Sequence, residues 1–345
     1  MTKRASYSIT VDGVTVTRNF APYLTSLTIK DGEGGKSDKL DIALDDMEGR
    51  LKFPRTGADI VARLWWDGEG KAVEFRGKTD EPESEGSRGG GMTLSISASS
   101  ADLKGKTKEK KKKHKDDATF GDVAKEWGKA AGLDVKIDDA LAAIKRDYWV
   151  MDDHSFLSWG QAIAEEIGAT FKISGDRAVF VERNSGKSSS GQDLPAVEAT
   201  RPGNVISWKL SPQNSRAKYK TSVVRWYDDK AAKWMSKTVD IGGDDASVKL
   251  VETQKAADAD KAGRKAKSNS EESKRDSGSG SITIDGNPNA QAQGRCIVSG
   301  VRAGIDGEYR ITSVTHSLTR SGGWTTSLEL KQPQGSAGKD DRKKS

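Results

Sequence analysis

The sequence predicts a chain of the α+β class, mainly β, in which two β-units flank a small inserted α+β module. Three observations carry this. Short runs of period two recur before residue 103 and again after residue 198, the pattern of barrel or sandwich strands. Between them the apolar period shifts to about 3.6, the signature of amphipathic helices. Gly and Asp punctuate the extended runs where turns need backbone angles that β-branched residues refuse.

In chain order, Tyr7–Val16 (YSITVDGVTV) reads as a hairpin about Asp12-Gly13. Leu24–Ile29, Lys39–Leu44, Asp59–Trp66, Val73–Lys78 and Met92–Ala98 are expected strands, with Lys30–Lys36 a Gly-rich turn. In Asp59–Trp66 (DIVARLWW), alternation sends Trp65 and Trp66 to opposite faces, so one of them must meet something other than its own unit's core. Helices are expected over Thr119–Ala131, capped by Thr119 and stopped at Gly132, and over Ser155–Ile167, capped by Ser155 and stopped at Gly168. Thr170–Ser174 and Arg177–Glu182 should pair across Gly175-Asp176. Ser185–Gln192 has linker composition. Strands resume at Val205–Leu210, Tyr219–Tyr227 and Lys233–Ile241. Glu252–Lys267 is an expected helix with a thin alanine face, and Ser268–Ser281 is polar enough to be expected mobile. Gly294–Leu330 reads as a three-run β-meander whose alternation slips at Ser313, and it is expected to pair with Val205–Ile241. Gln334–Ser345 is an expected disordered tail.

The net charge of +6 and pI near 9.1 would suit a nucleic-acid binder if the charge were spread over a face. It is concentrated instead. Lys104–Lys115 (KGKTKEKKKKHK) carries +7, which leaves the remainder at −1. Lys110, Lys111, Lys112 and Lys113 are therefore the candidate contacts for an anionic partner, DNA phosphate included; a solvated loop, or one ordered by an acidic neighbour, is favoured over it, because no aromatic residues are interleaved for base stacking.

No catalytic, metal or cofactor site is expected. The three histidines, His114, His154 and His316, are too dispersed to converge on a metal, and His316 reads as a strand residue satisfied by a polar neighbour. The single cysteine, Cys296, reads as a small buried strand residue. No Gly-x-Ser-x-Gly elbow is present, paired carboxylates such as Asp45-Asp46 and Glu165-Glu166 read as solvated faces, and the Gly-rich stretches are turns rather than phosphate loops. The apolar runs are too short for a membrane-spanning helix, and Met1–Phe20 lacks a signal peptide's apolar core, so a soluble protein made in the cytoplasm is expected.

Four stretches, in this order, resemble the phage late control gene D family: Leu40–Trp66, with its Pro-x-x-Gly between two strands; Phe75–Asp80 (FRGKTD); Asp152–Phe171 (DDHSFLSWGQAIAEEIGATF); and Gly294–Leu330, with G-x-Y-x-I-x-x-V-x-H and a later G-G-W-x-T-x-L-x-L. The family resembles the hub part of type VI secretion spike proteins. The resemblance implies a virion protein of the tail baseplate: two β-barrel-like tube domains, 1–102 and 199–250 with 282–333, around a basic loop and α+β module at 103–198, a helix and mobile loop at 251–281, and the tail at 334–345. It further implies a homotrimer that adapts a sixfold tail tube to a threefold spike around a central channel. Its partners would be the tail tube protein, the trimeric spike and other baseplate proteins, with DNA passing transiently. The competing expectations are a DNA-binding regulator acting through the lysine loop and a tail-associated cell-wall hydrolase. Missing catalytic motifs weigh against the latter.

Overall fold

The computed structural model describes residues 3–34, 37–100, 105–183, 186, 193–212, 219–228, 231–241, 248–252, 259–276 and 278–338. The expected linker at 185–192 lies outside these apart from Gly186, as do Lys104 and the tail beyond residue 338.

The first unit comprises β1 (Ala5–Val11), β2 (Val14–Thr15), a single turn α1 (Thr17–Phe20), β3 (Leu24–Gly32), β4 (Lys39–Asp45), β5 (Asp59–Trp66), β6 (Ala72–Thr79), β7 (Glu83–Ser87) and β8 (Gly91–Ser99). Alternation fixes its register. Leu40, Ile42 and Leu44 of β4 face inward, opposite Ala98, Ile96 and Leu94 of β8, while Leu27 and Ile29 of β3 close the other side. A one-residue slip would turn that whole apolar set to solvent.

The inserted module comprises β9 (Lys111–Thr119), α2 (Phe120–Ala130), β10 (Asp134–Ile137), α3 (Asp139–Ala142), β11 (Lys145–His154), α4 (Phe156–Ile167), β12 (Ala169–Ser174) and β13 (Arg177–Glu182). Both long helices start where the sequence places them. Thr119 Oγ1 accepts from the Asp122 N–H at 3.2 Å, and Ser155 and Ser158 exchange bonds in a reciprocal cap, each 3.1 Å. Gly168 ends α4 in the left-handed region, at φ 71°. The core is aromatic, with Phe120, Trp127, Trp149, Phe156, Trp159, Phe171 and Phe180 buried together and ring centroids down to 4.5 Å.

The rest comprises β14 (Val197–Thr200), β15 (Val205–Ser211), β16 (Tyr219–Asp228), β17 (Lys233–Asp240), β18 (Val248–Val251), α5 (Ala259–Arg275), β19 (Ser279–Asp285), β20 (Arg295–Ser299), β21 (Gly307–Thr319) and β22 (Gly323–Gln334). The slip at Ser313 is a β-bulge: the β21–β22 register shifts between Ile311 and Ser313. One extra residue re-aims the strand, so that Tyr309, Ile311, Val314 and His316 are all buried. Cys296 is buried on β20, as expected.

β3 pairs with β21, and the order β15-β19-β22-β21-β3-β4-β8-β6-β5-β1-β2 runs as one sheet through both β-units. The chain is thus mainly β with an inserted helical module, the class the sequence predicts.

Three expectations are corrected. The lysine run is not a loop: Lys111–Lys115 opens β9, which pairs with β11. Ser268–Ser281 is not mobile over its described residues, since α5 continues to Arg275 and β19 begins at Ser279. Ala262, Ala266 and Ser270, four residues apart, form the buried stripe that holds that helix down, and their small side chains let it approach the sheet closely. Last, of the expected partner strands in Val205–Ile241, β15 alone among the described residues joins the closing meander, through β19. β16, β17 and β18 form a separate sheet that buries Val224 and Trp226 against Ala262 and Ala266.

Candidate functional site

Among the described residues no group of three or more His, Cys, Asp or Glu could hold a metal. The polar chemistry gathers instead where the first unit, the module and the second β-unit meet. The end of β3 supplies Asp31. Its Oδ1 accepts from Lys172 Nζ of β12 at 2.5 Å, and its Oδ2 accepts from the Ala292 N–H, between β19 and β20, at 2.9 Å. Lys172 Nζ also lies 2.9 Å from Asp38 Oδ1, just before β4. These side chains are 29% (Lys172), 21% (Asp31) and 18% (Asp38) exposed, at the edge of a cleft of about 510 Å³. Burial pushes the Asp38 carboxyl up to about 6, with Lys172 opposing and Asp31 adding to the shift. Burial would lower Lys172, but the two carboxylates more than offset it and raise the ammonium's pKa.

Two further contacts join the same parts. Glu33, two residues on from Asp31, pairs with Arg275 at the end of α5; burial raises the Glu33 carboxyl and Arg275 counters it. Trp66 Nε1–H of β5 donates to the Gly286 carbonyl at 2.8 Å, and its ring lies 5.0 Å from that of Trp324 on β22. Trp66 is therefore the tryptophan of its pair that meets another unit. Nearby, His316 Nδ1 shares a hydrogen bond with Thr326 Oγ1 at 3.0 Å, the polar neighbour the sequence called for.

The candidate contacts Lys110–Lys113 lie elsewhere. Lys110 precedes β9, Lys111 and Lys113 turn to one face of that strand, and Lys112 to the other. Antiparallel pairing sets the lysine-rich half of β9 against the acidic end of β11, where Lys112 Nζ lies 3.3 Å from Asp152 and 3.2 Å from Asp153. Lys111 pairs with Glu109 at 2.9 Å, and Lys115 with Glu126 of α2. What reads as a basic stretch in one dimension has three of its lysines, Lys111, Lys112 and Lys115, paired with carboxylates in three. The junction carried no local signal beyond Trp65-Trp66, because Asp31 and Lys172 are 141 residues apart.

No family model matches the chain. It is 27% identical over 196 residues to the probable baseplate hub protein of Escherichia phage 186, and 25% over 195 residues to that of Escherichia phage P2. These alignments cover 57% and 56% of this chain and 50% of each relative, so the chain spans about half the length of the curated relatives it matches. The 43 kDa tail protein of prophage MuSo2 from Shewanella oneidensis shares the fold at TM-score 0.70 and 14% identity, over 94% of this chain and 98% of that one. The E. coli c3393 protein, a type VI secretion component described as structurally similar to the T4 tail proteins gp27 and gp5, aligns at TM-score 0.56 and 9% identity, over 93% and 76%. The fold is thus one shared with a phage tail protein and a type VI secretion component. By sequence the chain is similar to the probable baseplate hub proteins of these two phages.

Proposed function

We propose that this chain is a structural component of a phage tail, assembled in the host cytoplasm, in which three copies close into a baseplate hub ring. Each copy contributes two β-units, so three copies present six to a sixfold tube on one side and three modules to a threefold spike on the other, around a channel through which DNA passes. No enzymatic role is assigned. The observation that carries this reading is the β3–β21 pairing, which sets the two β-units side by side in one sheet. The far edge supports it. Among the described residues β15 pairs only with β19, and it exposes Ile206 (53%) and Trp208 (37%), an open edge of the kind that aggregates unless covered. A closed heterologous ring covers it with the next copy. Charge compensation along β9 weighs against a DNA-binding regulator.

The test is the mass of the assembled species by light scattering, with and without tube and spike partners, for the native chain and for Ile206→Lys with Trp208→Glu. The native chain should reach a trimer, and the double variant should remain a folded monomer. Equal assembly by both would remove β15 from the interface.

A further inference from the structure

The Lys172, Asp31 and Asp38 cluster is more than an ion-pair clamp. We propose that it is a self-processing site in which Lys172 and Asp31 condense to an isopeptide bond, with Asp38 as proton relay and the Ala292 N–H as oxyanion donor. Four observations place the reactants. Lys172 Nζ lies 2.5 Å from Asp31 Oδ1. The carboxyl carbon is one bond beyond, at roughly 3–3.5 Å, the separation of a near-attack conformer. Asp31 Oδ2, the oxygen that would remain as the amide carbonyl, already accepts the Ala292 N–H at 2.9 Å, which is where a donor must sit to stabilise charge in a tetrahedral intermediate. Asp38 Oδ1 lies 2.9 Å from the same nitrogen, and its elevated pKa suits a group that must gain and lose a proton near neutrality.

The step balances without a co-reactant. The two carboxylates hold Lys172 as the ammonium, so the reacting form is the minority one in which it has given one proton to the Asp38 carboxylate; the freed lone pair then forms the N–C bond to the Asp31 carboxyl carbon. Asp38 passes its proton to Oδ1, accepts a second from nitrogen and delivers that one too. The C–Oδ1 bond breaks, and water leaves through the adjoining cleft. One of the three ammonium protons stays on the amide, two depart in the water, and Asp38 ends as it began. The amide replaces a partly buried ion pair with a neutral group, removing its desolvation cost. It would fix β3 of the first unit covalently to β12 of the module.

Intact mass spectrometry of the full-length denatured protein tests this. The native chain should be lighter than its sequence by one water. A tryptic digest should contain a branched peptide joining the Asp31 and Lys172 segments, uncleaved after Lys172. Lys172→Arg and Asp38→Asn, each checked for folding by circular dichroism, should show the full mass. A native chain at full mass overturns the proposal. So does a water loss that persists in Lys172→Arg, since the Asp31-Gly32 step can also lose water as a cyclic imide. A branched peptide that survives Asp38→Asn overturns the relay.

Discussion

Trp66 of β5 and Trp324 of β22 stand with ring centroids 5.0 Å apart and planes inclined by 34°, and the Trp66 indole N–H is bonded to the Gly286 carbonyl. The pair joins the two β-units through β5 and β22, beside the β3–β21 ladder, since Trp324 lies opposite Leu318 and Leu318 opposite Leu27. Trp66→Ala removes the ring and leaves that carbonyl without its donor, so it should cost about 3 kcal/mol, read from urea unfolding. A loss below roughly 1 kcal/mol would mean that the joint rests on the ladder alone.

Gly286→Ala probes the same joint from the other side. A Cβ there would lie 2.2 Å from Trp324 Cδ2, so the substitution should displace that ring and shift the near-ultraviolet dichroism of the tryptophans, while far-ultraviolet dichroism stays native. An unchanged near-ultraviolet spectrum would contradict this packing.

How much of this was legible follows from distance along the chain. Thr119, Ser155 and Gly168 were readable because capping is local, and the Ser313 bulge showed as a broken alternation. Trp66 announced itself because two adjacent bulky residues cannot share a face. The lysine run misled because its compensation comes from Asp152 and Asp153 of β11, about forty residues on, and only a register supplies that. Asp31 and Lys172 were ordinary charges in a sequence with 31% charged residues.

Gly128 and Gly160 lie inside α2 and α4, where alanine normally gains about 1 kcal/mol in helix propensity. Here the sign reverses. A Cβ at Gly128 would lie 2.1 Å from Val135 Cγ2, and one at Gly160 would lie 2.7 Å from the Phe171 ring. Each Gly→Ala change should destabilise by about 1–3 kcal/mol in chemical denaturation. Stabilisation by either would contradict the helix-to-strand packing of the module.

Burial holds His316 neutral and pushes its pKa down to about 4 from 6.5, against the pull of Asp31. The unfolded chain takes up this proton near 6.5 and the folded chain only near 4. Its contribution is therefore complete above pH 6.5 and is lost as pH falls toward 4, up to about 3 kcal/mol. Asp38 has the opposite sign: its carboxyl, pushed up to about 6 from 3.8, keeps a proton that the unfolded chain has lost, so its cost is relieved over that window as pH falls. The stability advantage of the native chain over His316→Gln should accordingly shrink between about pH 7 and pH 4.5. A constant gap would show that the imidazole is solvated.

Replacing Lys110, Lys111, Lys112 and Lys113 by Ser should leave DNA affinity weak and little changed at about 0.15 M salt, because Lys111 and Lys112 already face carboxylates. A steep loss of salt-dependent binding in the variant would restore the nucleic-acid reading.

The proposed ring holds three chains, each presenting two β-units. Cryo-electron microscopy of the chain assembled with its tail tube and spike partners measures it directly. The expected image has three copies around one axis, with six β-units facing the tube and a β15 edge at each subunit boundary. A chain that stays monomeric with both partners, or a ring of six copies, would contradict it.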